Sequence, residues 1–356
     1  MGRGTRLSAG LAGLLFIAGC TGGGPGSGAT PLIATSMASE IPRPTRVAPS
    51  EPPEPSSTPP PLALLAEANV DQPFALAWSP GGDLIVVTTA AGLHLIDAAD
   101  PRQQRLIPAE KPLEFLAFSP EGDLLATTEA GTRFQVWALP EGELVDQQEI
   151  TINRHFGVFF DDHGALYVAT QYGGESLGIQ TFTGREVTGG LAVGDGADWV
   201  DDIAIAPNGV LAAFNSFEGI DIWSFDTQAR AAVLEGERSA ALRFSPDSTL
   251  LAAAHWDGIA RLWSLDSGAV LQSFIWRETD AGGPQRTGLD FGPDGRLLAV
   301  AGKEGRILVW DTESQTIADT FPIALRTFNS IGFRPDGTKL ASIGEDGLLQ
   351  IWAVGP

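Results

Sequence analysis

One cysteine, Cys20, stands in 356 residues. Intramolecular disulfides, cysteine-ligated metal centres and thiol chemistry in a folded body are thereby excluded. Positive charge is also scarce: 22 Lys and Arg face 44 Asp and Glu, for a formal net charge of −22. A field of that sign repels phosphate, so nucleic acid and anionic headgroups are excluded as partners, while basic proteins and divalent cations are favoured. Its plainest effect is solubility. No apolar run reaches the ~20 residues of a transmembrane helix. The four histidines, His94, His155, His163 and His255, show no paired metal-ligand spacing, so each is expected to be structural or exposed, with no metal and no cofactor.

What is present is a repeat. Leu289 to Trp310 reads as a strand, a Pro-Asp-Gly turn, an apolar strand, a Gly-containing turn and an alternating strand that closes on Trp. Anchored on the first turn, the unit recurs at Ser79-Pro80, Ser119-Pro120, Asp161-Asp162, Ala206-Pro207, Ser245-Pro246, Gly292-Pro293 and Arg334-Pro335, 39 to 47 residues apart. The third-strand position holds Ile96, Trp137, Phe182, Trp223, Trp263, Trp310 and Trp352. Seven units of ~40 to 45 residues with four strands each predict an all-β, seven-bladed β-propeller. The third unit is the least regular. Only four residues follow Trp352, so the last blade lacks a fourth strand, and Leu62-Ala63-Leu64-Leu65 is expected to supply it and close the ring.

FSPDSTLLAAAHWDGIARLW from Phe244 to Trp263 and FRPDGTKLASIGEDGLLQIW from Phe333 to Trp352 resemble the WD-repeat family, and the resemblance runs from about Leu62 to the C-terminus. The Pro-Asp-Gly turns also look like those of the TolB propeller family. The Gly-His dipeptide that usually opens a WD repeat is absent, and Asp follows the closing Trp only at Trp310-Asp311. The hydrogen-bonded tetrad the family builds around that His is therefore expected to be missing, leaving apolar packing to hold the blades. The resemblance implies a non-catalytic, monomeric platform for protein partners.

Ahead of the repeats, Arg3 and Arg6 precede an apolar stretch, Leu7 to Ala18, which ends in Ile17-Ala18-Gly19-Cys20. This resembles a bacterial lipobox: residues 1–19 read as a lipoprotein signal peptide and Cys20 as the lipidated first residue of the mature chain. Residues 20–61, rich in Gly, Pro, Ser and Thr, read as a disordered tether, and 62–356 as the propeller. At ~3 Å per residue the tether spans at most roughly 100 Å. The expectation is an exported protein anchored through Cys20 to a bacterial membrane, on the periplasmic side of the outer membrane or at the cell surface.

Three patterns raise chemistry. Gly174-Glu175-Ser176-Leu177-Gly178 matches a hydrolase nucleophile elbow, but Ile179 to Phe182 continues as a strand where the elbow needs a helix. The acidic loop Gly194 to Asp202 could attract calcium, although its spacing is not that of an EF-hand. Trp199, Trp256 and Trp276 stand outside the repeat positions, in connections that open on one face, with Tyr172, Arg154, Phe217 and Arg277 beside them. Trp and Arg bury much area at low entropic cost, so Trp199, Trp256, Trp276, Arg277 and Tyr172 form the candidate partner-binding face; the simpler role for each Trp is to cover the core beneath its own loop. Two alternatives to a scaffold remain: an envelope-assembly factor resembling BamB or TolB in plan, and a propeller enzyme or small-ligand binder using the central channel.

Overall fold

Turn chemistry sets up every blade. In the computed structural model, which describes residues 64–129, 133–149, 154–172, 176–184, 186–193, 200, 202–216, 219–276, 287–302, 305–322 and 328–355, the Ser of each Ser-Pro pair closes its own turn. Ser79 Oγ donates to Asp83 Oδ1 (2.8 Å) and accepts the Leu84 N–H (3.0 Å). Ser119 and Ser245 do the same with Asp123 and Leu124, and with Asp247 and Leu250. Gly82, Gly122, Gly295 and Gly337 take positive φ in these turns, where a side chain would be strained. The strands that follow pair antiparallel as hairpins, giving seven four-stranded sheets.

The irregular third unit solves the same problem with other atoms. Asp161 stands where the serines do, and its Oδ1 accepts the His163 and Ala165 N–H groups (2.9 and 2.8 Å). Tyr167, on the second strand of that blade, donates its hydroxyl to Asp161 Oδ2 (3.0 Å). Asp161-Asp162 is thus a working turn and not a degenerate one.

Blades 1 to 6 use consecutive strands, from Pro73–Trp78 onward. Blade 7 has Phe328–Phe333, Lys339–Gly344 and Leu348–Ala353, with Leu64–Asn69 as its fourth strand. The register pairs Leu64 with Trp352 and Asn69 with Leu348, and Gln350 Nε2 donates to Glu67 Oε1 (2.7 Å). Closure by the N-terminal strand is as expected; Leu62 and Ala63 lie outside the described residues, the described strand continues past Leu65 to Asn69, and Leu64 and Leu65 are exposed while Ala68 and Val70 are buried. Period-2 alternation through Ala66, Ala68 and Val70 selects the inward face, where a continuous apolar run cannot.

The core lies between blades. Seven apolar clusters fill the seven junctions, and each receives one third-strand residue: Trp137 between blades 1 and 2, Phe182 between 2 and 3, Trp223 between 3 and 4, Trp263 between 4 and 5, Trp310 between 5 and 6, Trp352 between 6 and 7, and Ile96 between 7 and 1. A large ring on the third strand, or Ile96 in blade 1, bridges to the preceding blade, so each blade buries its apolar face only against its neighbours. The tetrad expectation needs adjusting. Trp137 Nε1 donates to Thr127 Oγ1 (3.0 Å) and Trp352 Nε1 to Ser342 Oγ (3.4 Å), so a Trp–hydroxyl bond is kept in two blades without the histidine.

Candidate functional site

Antiparallel order places the turns between strands 2 and 3, and the connections from strand 4 to the next blade, on one face; the other two sets of turns open on the opposite face. Of the residues expected on the first face, Trp199 and Arg277 lie outside the described residues, as does the side chain of Tyr172, which ends the strand Leu166–Tyr172. Trp256 is half-buried just beyond the strand Leu250–His255, with the Arg238 guanidinium carbon 4.4 Å from its ring centroid. A cation over an indole face is attracted by the ring quadrupole.

Trp276 is not a surface anchor. It is 5% exposed and packs with Phe274, Leu289 and Trp310 between blades 5 and 6. Its N–H donates to the Gly258 carbonyl (3.0 Å), so the ladder of Val270–Ile275 runs one residue further. Alternation then turns Phe274 in, Ile275 out and Trp276 in.

Around Trp256 the polar groups are tightly arranged. Asp257 accepts the Ile259 N–H (2.9 Å) and pairs with Arg261 (2.6 Å). His255 is fully buried, contacts the Glu237 carbonyl through Nδ1, and packs edge-on against Trp263. Burial, reinforced by the Arg261 charge, pushes its pKa down to about 4, so the ring is neutral at physiological pH. Blade 2 carries an ion cluster on the same face that sequence reasoning missed: the buried Glu129 lies 3.0 Å from both Lys111 Nζ and Arg133 Nε. Its only sequence signal is an acid where Thr89 and Ser216 occupy the corresponding strand ends.

The first strands of neighbouring blades touch all the way round and form the wall of the central channel. Two residues before each turn anchor, the first-strand position that faces the following blade is mostly small or apolar: Ala77, Ala117, Phe159, Ala204 and Gly332. Arg243 and Asp290 break that ring on adjacent blades. Arg243 Nη1 lies 3.6 Å from Asp202 Oδ2, which also accepts the Leu242 N–H (2.8 Å). Asp290 Oδ2 accepts the Phe333 N–H (2.8 Å). Burial pushes the Asp290 pKa up to about 6, against the opposing pull of that N–H and of the Arg243 charge. Both aspartates thus tie one blade to the first strand of the next.

The remaining sequence patterns resolve differently. Residues 194–199 and 201 of the acidic loop lie outside the described residues, and Asp202 is committed to Leu242 and Arg243. Among the described residues no group of three or more His, Cys, Asp or Glu is placed to hold a metal. Ser176 opens the strand Ser176–Thr183, opposite Tyr172, so it sits in a hairpin and not on a strand-to-helix elbow. His94 is half-buried, with Nδ1 3.4 Å from Gln104 Oε1, His163 is exposed, and the side chain of His155 is outside the described residues. Cys20 is outside them too.

Comparison with known proteins agrees with this architecture. Residues 231–264 and 283–311 match the family model described as WD domain, G-beta repeat. No curated protein matches the chain in sequence. Among solved structures, the β-propeller domain of Cps50 (Swd1) from Myceliophteria thermophila superposes with a TM-score of 0.68 at 15% identity, covering 83% of this chain and all of that one. At that identity the likeness speaks to fold alone. The chain is a seven-bladed β-propeller that carries WD40 repeats.

Proposed function

We propose that the protein is a non-catalytic scaffold at a bacterial cell envelope, anchored by lipid on Cys20 and engaging protein partners through the face that carries Trp256. WD40 propellers generally bind protein partners, which supports the scaffold reading. The observation that carries the choice of face is the Arg238–Trp256 stack: two residue types that dominate interface energetics stand together beside the Asp257–Arg261 pair. Trp199, Arg277 and Tyr172 extend the same binding surface in this reading. The lipobox-like Ile17-Ala18-Gly19-Cys20 and the Pro-rich segment after it support the anchor and the tether.

Two experiments test it. Replacing Cys20 by Ser should move the protein from the membrane fraction to the soluble one; unchanged membrane recovery would overturn the anchor. Proximity labelling in cells should identify a recurrent partner, and the double variant Arg238→Ala/Trp256→Ala should cut its labelling about tenfold or more at unchanged melting temperature. Undiminished labelling of that partner would remove this face from the proposal.

A further inference from the structure

A cleft of about 590 Å³ opens between blades 1 and 2 on the opposite face, the one carrying the turns between strands 1 and 2. Leu84, Leu95, Leu139 and Pro140 give it an apolar lining, and Asp83 and Asp97 line it as well. Each uses one carboxylate oxygen internally. Asp83 Oδ1 accepts the Ser79 hydroxyl, and Asp97 Oδ1 accepts the Ala99 and Asp100 N–H groups (2.8 Å each). Their Oδ2 atoms accept no hydrogen bond from the described residues. Arg105 also lines the cleft, but its guanidinium is held by carbonyls, donating to Glu141 O (2.9 Å) and to Pro140 O. That contact joins the outer strand of blade 1 to blade 2 beside the cleft.

We infer that this cleft is a docking site for an extended, basic peptide segment, one that places a Lys or Arg between apolar residues. The volume falls within the range of sites that receive a few side chains. A long cationic side chain fits both surfaces at once: its methylene stem covers Leu84, Leu95 and Leu139 while its head reaches the free oxygens of Asp83 and Asp97. The net charge of −22 steers basic partners to the molecule and turns acidic ones away. A bare metal ion is a poorer fit, since two carboxylates supply too few oxygens for calcium. The site is independent of the Trp256 face, so either can fail without the other.

The test is fluorescence anisotropy on the full mature chain, titrated against a labelled Gly-Leu-Arg-Leu-Lys-Gly peptide and its counterpart with Gln at both basic positions. The basic peptide should bind one-to-one and at least tenfold more tightly than the Gln peptide. Asp83→Asn/Asp97→Asn should abolish that preference, whereas Glu235→Gln/Asp266→Asn, which removes equal charge from exposed positions on blades 4 and 5, should leave it intact. Because Asp83 closes the Ser79 turn, Gln103→Lys supplies a second probe: it adds a cation at the cleft, gives up only the exposed Gln103 Nε2 contact to Asp100 Oδ2 (3.3 Å), and should weaken binding about as much. Equal losses from the two neutralised pairs would reduce the effect to net charge and overturn the proposal. So would equal affinity for the Gln peptide, binding untouched by Gln103→Lys, or no binding of the basic peptide.

Discussion

Blades 3 and 5 perform the same task with different atoms. Blade 5 closes its first turn with Ser245 and bridges to blade 4 through Trp263, and most of it lies within a segment matching the WD40 model. Blade 3 uses Asp161 with Tyr167, and bridges to blade 2 through Phe182, whose ring centroid is 4.9 Å from that of Phe134. The difference separates what the fold needs from what the repeat motif happens to use. Both blades place an acceptor at the turn and a buried ring at the junction, yet Ala206 and Gly292 hold the turn position of blades 4 and 6 and Ile96 fills the junction between blades 7 and 1, so the fold itself requires only a closed turn and a filled junction.

The largest effect should come from emptying the junctions. Trp263 is 1% exposed and Phe182 2%, and truncating either to Ala is expected to cost ~3–5 kcal/mol through lost burial and a residual cavity. If the two blades are equivalent, chemical denaturation should give similar losses. A loss below about 1 kcal/mol at Phe182 would mean that blade 3 hangs loosely on the ring.

The turn anchors should separate the blades. Asp161→Ala strands two donors, the His163 and Ala165 N–H groups, and leaves the Tyr167 hydroxyl with only the Gly209 carbonyl at 3.3 Å. Ser245→Ala strands only the Leu250 N–H, because Asp247 Oδ1 keeps the Thr249 N–H and hydroxyl. Buried unsatisfied groups cost ~1–3 kcal/mol each, so the Asp161 change should be the more damaging, by about a factor of two. Tyr167 offers an internal check. Burial and the Asp161 charge hold its pKa far above the usual tyrosine range, and in Asp161→Ala it should titrate at lower pH by ultraviolet absorbance.

Acid should act on blades 5 and 6 in opposite directions. His255 titrates at 6.5 unfolded and about 4 folded, so the stability its neutral form gives is complete above pH 6.5 and is lost as pH falls toward 4. Asp290 titrates at 3.8 unfolded and about 6 folded; its contribution is complete below pH 3.8 and is lost as pH rises through 6. Between pH 4 and 6 the two slopes, about one proton each, nearly cancel. His255→Thr should therefore shift the pH dependence of unfolding toward greater relative stability in acid, and Asp290→Asn toward less. Melting curves at pH 4.5 and 7 that move in parallel for both variants would contradict the assignment.

Much of this was readable in advance, for a local reason. The turn anchors and the third-strand residues recur at fixed short offsets, so period and turn chemistry reveal the blades, their number and the junction residues. What escaped depends on contacts between blades. Asp202 meets Leu242 and Asp290 meets Phe333, at separations of 40 and 43 residues, and nothing local in either sequence marks the partner. Trp276 was a missed local inference. Its alternation with Phe274 was visible, and only the assumption that the strand had ended made it look like loop. Gln103 and Arg105 line the cleft from the longer connection and outer strand of blade 1, a placement that no repeat position foretells.

The finest distinction between the blades is a single backbone angle. Gly164 in blade 3 takes φ +80, with open space around a prospective Cβ, while Ser248 holds the corresponding turn of blade 5 at φ +60. An L-residue in that region costs ~1–2 kcal/mol, offset in Ser248 by its hydroxyl accepting the Asn208 N–H at 3.2 Å. Ser248→Gly removes the strain and the exposed bond together and should gain up to ~1 kcal/mol, reduced by the extra freedom of glycine in the unfolded chain. Gly164→Ala should lose ~1 kcal/mol, since space alone does not relieve a left-handed backbone. Opposite signs in the two midpoints of urea unfolding would show that blade 5 tolerates its serine for the sake of one bond to blade 4; a loss in Ser248→Gly would mean that the bond outweighs the angle.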